Sequence, residues 1–171
     1  MKAYQPIALL LAASLAGAAL AEEGEEHEGG RHNLVAVTNA KWKAECASCH
    51  TLYHPGLLPE RSWRKLMAGL DKHFGESAAL DPVTNKEITD FLVKYSADQS
   101  ADRRSSRIAS SIPAASTPLR ITETAWFKRE HDKVSTNVWK RPKIGSPANC
   151  AACHAGAEQG NFSEHQVKIP R

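Results

Sequence analysis

Residues 46–50 read CASCH and residues 150–154 read CAACH. The chain has four cysteines, and these two copies of Cys-x-x-Cys-His use all of them. Paired cysteines at this spacing serve disulfide, zinc or covalent attachment chemistry, and the rest of the chain has to decide among them. Two C-x-x-C pairs that form a zinc site usually stand about 15 to 20 residues apart. Here the pairs are separated by everything from residue 50 to residue 149. A redox-active C-x-x-C pair needs no trailing histidine and belongs in a βαβ context, of which the sequence gives no sign.

The reading that accounts for all five positions is attachment of a c-type haem, with a thioether to each cysteine and the following histidine on the iron. Residues i, i+3 and i+4 share one side of a helix, so two sulfurs and one imidazole can face a single porphyrin. Cys46, Cys49 and His50 meet that requirement, as do Cys150, Cys153 and His154. Two covalently attached haem c groups are therefore expected. Aromatic residues make up only 6% of the chain, and a buried prosthetic group in each half would supplement so modest a core.

Compartment and charge agree with this. The opening MKAYQPIALLLAASLAGAALA has a cationic start, an apolar run from Ile7 to Leu20 and the small-x-small site Ala19-Leu20-Ala21. That is the layout of a cleaved secretory signal peptide over residues 1–21, and the expected location is the periplasm. Residues 22–34 carry five glutamates in their first seven positions and read as an acidic, flexible N-terminus. From residue 29 onward the chain holds 21 Lys plus Arg against 14 Asp plus Glu, a net of +7. For an exported protein this surface suits an acidic protein or membrane surface better than nucleic acid. No later segment resembles a membrane span.

Helical periodicity dominates, so the fold class is all-α. One helix runs through NAKWKAECASCH with Asn39 as N-cap, and a second through SWRKLMAGLDKHFG, capped by Ser62 and closed by Gly75. A third covers DPVTNKEITDFLVKYSAD, starting at Pro82 or Thr84 and burying Ile88, Phe91, Leu92 and Tyr95. Residues 99–118 are rich in Ser, Ala and Arg and read as a linker without a convincing apolar face. A short helix is expected from about Thr124, and a last one with Ser146 as N-cap and Pro147 at N1. The resulting division is a haem domain at 35–98, the linker at 99–118 and a second haem domain at 119–171.

Each iron needs a second axial ligand, and that choice sets its redox potential. Of the eight histidines, His27 and His32 lie in or near the acidic start. His54 is four residues past His50, on the wrong side to swing across the porphyrin, and His165 sits near the C-terminus. His73 and His131 are left, one in each half, beside apolar helix stripes. His73 follows His50 by 23 residues, and His131 precedes His154 by the same number. Met67 is the rival in the first half, though its place mid-stripe fits core packing. The metal ligands are thus expected to be His50 with His73 and His131 with His154. Pro55 or Pro59 could offer a carbonyl to His50, and Arg61, Trp63 and Arg64 could approach propionates, though plain surface or core roles fit most of these residues better.

The blocks ECASCHTLYHPGLLPERSWRKLMAGLDKHFG, RITETAWFKREH and NCAACHAGAEQGNFSEHQVKIPR resemble the two-domain dihaem cytochromes c of bacterial periplasms. The resemblance implies a first domain like a class I cytochrome c and a smaller, irregular, haem-wrapping second domain. It also implies two histidines on each iron, assigning those roles to His50, His73, His131 and His154. It further implies electron donation to a small oxygen-binding monohaem cytochrome and a link to a membrane b-type cytochrome. Tyr53-His54-Pro55 departs from the resemblance, which places proline in the middle. The expected function is an electron carrier and not an enzyme. The alternative is a small haem enzyme, a peroxidase or gas-binding reductase, with one open iron site.

Overall fold

The computed structural model describes residues 33–171. The signal peptide, most of the acidic N-terminus, His27 and His32 lie outside the described residues. Within them the chain is helical, with no β-strand and only isolated bridges between Asn33 and Asn161 and between His73 and Glu76.

Helix α1 is Ala40–Cys46, and Asn39 caps it by accepting the Trp42 N–H at 2.8 Å. It ends at the first cysteine, so Cys49 and His50 stand in the turns beyond it. The expectation of one helix through the whole pentapeptide is corrected here. Helix α3, Pro82–Lys94, begins as its sequence indicates, with Pro82 in the first turn and the Asp81 carboxylate accepting from Val83 and Thr84 N–H. It buries Ile88, Phe91 and Leu92, and the Trp42 and Phe91 rings meet at 5.0 Å to seat α1 on α3.

Helix α2 is Glu60–Ala68 and packs on α3. The assignment of Ser62 as its cap is wrong, because Ser62 lies within the helix and is fully buried. Pro59 precedes the helix with no side chain able to cap it. The orphan Glu60 N–H is instead taken by Asp98 Oδ1 at 2.8 Å, from beyond the end of α3. A distant residue supplies the cap, so no local pattern could reveal it. The expected continuation to Gly75 also fails. Gly69 ends the helix, a 3₁₀ turn covers Leu70–Lys72, and His73 is already extended.

Residues 99–118 are more than a tether. Helix α4, Arg103–Ser110, is capped by Asp102 and buries Ser105 and Ile108, while Ile112 is buried just after it. It packs on the 3₁₀ turn Pro55–Leu57, where a Cβ added to Gly56 would lie 2.5 Å from Ser105 Oγ. Only a residue without a side chain allows that approach. Arg61 ties down the following loop by donating to the carbonyls of Ser116 at 2.6 Å and Pro113 at 3.1 Å.

Beyond it, α5 is Ala125–Glu130, capped by Thr124, and α6 is Thr136–Trp139. The last expected helix is absent: the second motif forms a 3₁₀ turn at Cys150–Ala152. Ser146 does accept the Ala148 N–H at 3.2 Å, but Asn149 has ψ of 72°, outside the helical region, and the chain turns away. One apolar cluster runs from Leu34 and Trp42 through Ile88 and Ile108 to Trp126, Phe127 and Phe162.

Candidate functional site

The two motifs face similar tasks in unlike surroundings. In the first, Cys46 is half-buried at the end of α1 while Cys49 and His50 are exposed. In the second, Cys150, Cys153 and His154 are all half-buried in a tight turn held by Cys150 O, which accepts from Cys153 N at 3.2 Å and His154 N at 2.8 Å. None of the four cysteines is paired in a disulfide. Burial pushes the Cys46 and Cys150 thiols up to about 11. Among the described residues, no three His, Cys, Asp or Glu side chains converge on a point that could hold a bare metal ion.

The histidines do converge, in pairs. His50 and His73 have ring centres 6.2 Å apart and planes 27° apart. His131 and His154 have ring centres 6.2 Å apart and planes 84° apart. An imidazole nitrogen lies about 1.1 Å from its ring centre and about 2.0 Å from a bound first-row metal, so two rings sharing one metal have centres about 6.2 Å apart. Both pairs have the spacing that a single iron between them requires. The residues present fit the haem that the pentapeptides call for.

Different devices aim each ring. His50 shares its Nδ1 with the Thr51 carbonyl at 2.7 Å, and Tyr53 packs on it with centres 4.9 Å apart. The expected carbonyls of Pro55 and Pro59 are occupied elsewhere: Pro55 O accepts Trp63 Nε1–H at 2.8 Å, and Pro59 O accepts from Ser62 and Trp63 N–H. His73 sits in a tight turn whose next residue, Phe74, has φ of 54°, followed by Gly75 at 105°. A phenylalanine in the left-handed region costs about 1 kcal/mol or more. Burial and the neighbouring His50 and Arg120 hold the His73 pKa below its ordinary value, favouring the neutral ring that a metal requires.

His131 closes α5, and its Nδ1 meets the Phe127 carbonyl at 2.9 Å. Phe127 also stacks on it at 4.1 Å and 21°, and Trp139 lies 5.9 Å away. His154 packs against Phe162 at 5.4 Å, while its Nδ1 is buried without a partner. Burial, His131 and Arg104 together lower the His154 pKa. Trp126, Phe127, Trp139 and Phe162 line a cavity onto which His131, Cys150, Cys153 and His154 open.

The remaining candidates are structural. Met67 is buried in the core. Trp63 is a core residue, Arg61 fastens backbone carbonyls and Arg64 pairs with Glu60 at 2.7 Å. His165 is exposed. His54 is only 2% exposed: its Nε2 meets Val35 O at 2.8 Å and its Nδ1 accepts the Gly56 N–H at 3.0 Å. It clasps the entering chain where Leu34 N bonds Gly160 O at 2.9 Å, which explains the histidine where proline was expected. The residue missed by sequence reading is Arg104, which lines the second cavity from a segment read as linker. Its one sequence signal was its place in the Ser/Arg-rich run before Ile108.

The two attachment loops also touch. Tyr53 Oη donates to Ala148 O at 2.9 Å, and Thr51 Oγ1 donates to Asn149 Oδ1 at 3.5 Å. Residues next to His50 are thereby joined to residues next to Cys150.

Comparison with known proteins agrees with this arrangement. The family model described as dihaem cytochrome c matches residues 42–162. A solved diheme cytochrome c from Rhodobacter sphaeroides is 46% identical over 75% of this chain and 99% of its own, with a TM-score of 0.67. A diheme cytochrome type c from Shewanella baltica OS155 is 38% identical over 77% of this chain and 93% of its own, with a TM-score of 0.63. No curated protein matches. With two pentapeptides, two converging histidine pairs and relatives matched almost end to end, this chain belongs to the dihaem cytochrome c family, electron-transfer proteins with two covalently bound haem c groups.

Proposed function

We propose that the protein is a periplasmic electron carrier whose irons are each held by two histidines, His50 with His73 and His131 with His154. Cys46 and Cys49 anchor the first haem, and Cys150 and Cys153 the second. The signal-peptide layout of residues 1–21 supports export. The haem-binding units of this reading are residues 35–98 and 119–171, with 99–118 connecting them. The observation that carries the ligand assignment is the common 6.2 Å spacing of both ring pairs.

When bound, each haem supplies a one-electron Fe(III)/Fe(II) couple. His50 with His73 and His131 with His154 would hold the two irons, would leave no open site for substrate and, with nitrogen in place of thioether, would keep the potentials low. Phe127, Trp139 and Phe162 give the second centre an apolar lining. Tyr53 and Asn149 hold the attachment loops together, so an electron has a short route between centres. The net +7 from residue 29 onward suits an acidic redox partner. The resemblance points to a small oxygen-binding monohaem cytochrome as acceptor and a membrane b-type cytochrome as the linked component. No helix among the described residues is long and apolar enough to cross a membrane.

The test is electron paramagnetic resonance of the oxidised holoprotein, with carbon monoxide difference spectra of the reduced form. Two low-spin signals and no carbon monoxide adduct are expected. A high-spin signal or ready adduct formation at neutral pH would instead support the enzyme reading, with an open iron. Replacing His73 or His131 by alanine converts the corresponding centre alone to high spin.

A further inference from the structure

Arg104 enters the second cavity from the first turn of α4. Its guanidinium lies 5.2 Å from the Trp126 ring centre and 5.8 Å from that of Phe162, and its Nε is buried without an acceptor. The acids around it are spent or solvated. Asp102 accepts from Ser100 and Ser105, Glu130 is exposed and held by Arg129, and Glu164 is exposed. In the same cavity His154 Nδ1 lacks an acceptor, whereas His50 and His131 each have a backbone carbonyl. At the first centre the nearby cation is Arg120, 4.0 Å over the half-exposed Phe74 ring, with its own side chain 51% exposed.

These features act in one direction. A half-buried guanidinium whose Nε has no acceptor offers charge-assisted donation to a carboxylate. A cation in a poorly solvated pocket opposes the extra positive charge of the oxidised state much more than one in water does. An axial imidazole whose N–H has no acceptor is also a weaker electron donor, and weaker donation and burial both raise the potential. We infer that Arg104 receives a haem carboxylate in the second pocket and, with His154, makes the His131/His154 centre the higher-potential one, reduced first. This rests on the bis-histidine reading above. One electron from a one-electron reductant enters each centre, and no bond or proton changes.

The ring angles make the centres distinguishable in the untouched protein. Near-parallel imidazoles raise the same iron d orbital and split the pair, giving an ordinary rhombic low-spin signal. Crossed imidazoles raise both orbitals alike and leave them nearly degenerate, giving a highly anisotropic one. The holoprotein is reduced stepwise with dithionite and redox mediators and frozen at each potential. The anisotropic signal should fade first; fading of the rhombic signal first, or of both together, overturns the inference. In R104Q the preference of the electron for the second centre should fall about tenfold, a narrowing of about 59 mV for one electron. The lower step should stay in place, and R104K should restore most of the difference. An unchanged gap in R104Q, or an equal shift of both steps, also overturns it. If R104Q fails to mature, the order of fading in the wild-type protein still decides. A high-spin signal at rest would sink the ligand reading itself, whereas two low-spin signals in reversed order would sink this inference alone.

Discussion

The two histidine pairs share a ring spacing of 6.2 Å and differ in almost everything else. In the first, planes 27° apart are held by a single carbonyl on His50 and a left-handed Phe74 after His73, and His50 is exposed. In the second, planes 84° apart are wedged by Phe127, Trp139 and Phe162 in a pocket that also holds a half-buried arginine. One pentapeptide chemistry thus sits in two electrostatic environments. The motif fixes what is bound, and the packing around it sets the surroundings of each histidine pair.

The contrast is most sharply broken at Phe127. It is 7% exposed and stacks on His131, so Phe127→Ala should cost about 3–5 kcal/mol. It should also free the His131 ring, broadening or shifting the anisotropic resonance and leaving the rhombic one alone. Thermal denaturation and paramagnetic resonance together check this, and equal perturbation of both signals would show that the centres are not independently packed.

His54 offers the complementary cut on the side of the first motif. Truncation to alanine strands the Gly56 N–H and Val35 carbonyl and should cost about 3 kcal/mol. It also carries a pH signature. Burial lowers its pKa below the ordinary 6.5, so the unfolded chain takes up a proton that the folded chain refuses. Its contribution is fully present above pH 6.5 and is lost as pH falls from there through the lower folded-state value. Melting curves should therefore decline less steeply on the acid side for His54→Gln than for the wild type. Parallel slopes would show that another group sets the acid limit.

Smaller effects sharpen the comparison. Tyr53→Phe removes one bond across the join between motifs and should cost about 1 kcal/mol, while slowing electron exchange between the centres. Flash reduction measures that exchange, and an unchanged rate would rule out Tyr53 as a determinant of the route. Asn39→Ala strips the α1 cap, with an expected loss of about 1 kcal/mol and no change at the second centre, whose attachment motif lies in a 3₁₀ turn far from α1 in the chain.

Where local sequence governs, reading it was enough. Asn39 caps α1, Pro82 begins α3, a short helix starts just after Thr124, and Ile88, Phe91 and Leu92 are buried with Tyr95 half-buried beside them. Where a distant partner intervenes, it was not. Asp98 starts α2 from across the fold, Ser105 and Ile108 turn a polar stretch into a packed helix, and Trp63 takes the Pro55 carbonyl meant for His50.

By itself the sequence determined the chemistry, because covalent attachment needs two cysteines and a histidine at short range, and that constraint lies within five consecutive residues. It also narrowed the second ligands to His73 and His131. Only the tertiary structure decided the ring angles, the seating of Arg104 beside His154 and the contact of Tyr53 with Ala148. Those depend on side chains far apart in the chain, and a residue's orientation and solvation are properties of what packs against it, not of its neighbours in sequence.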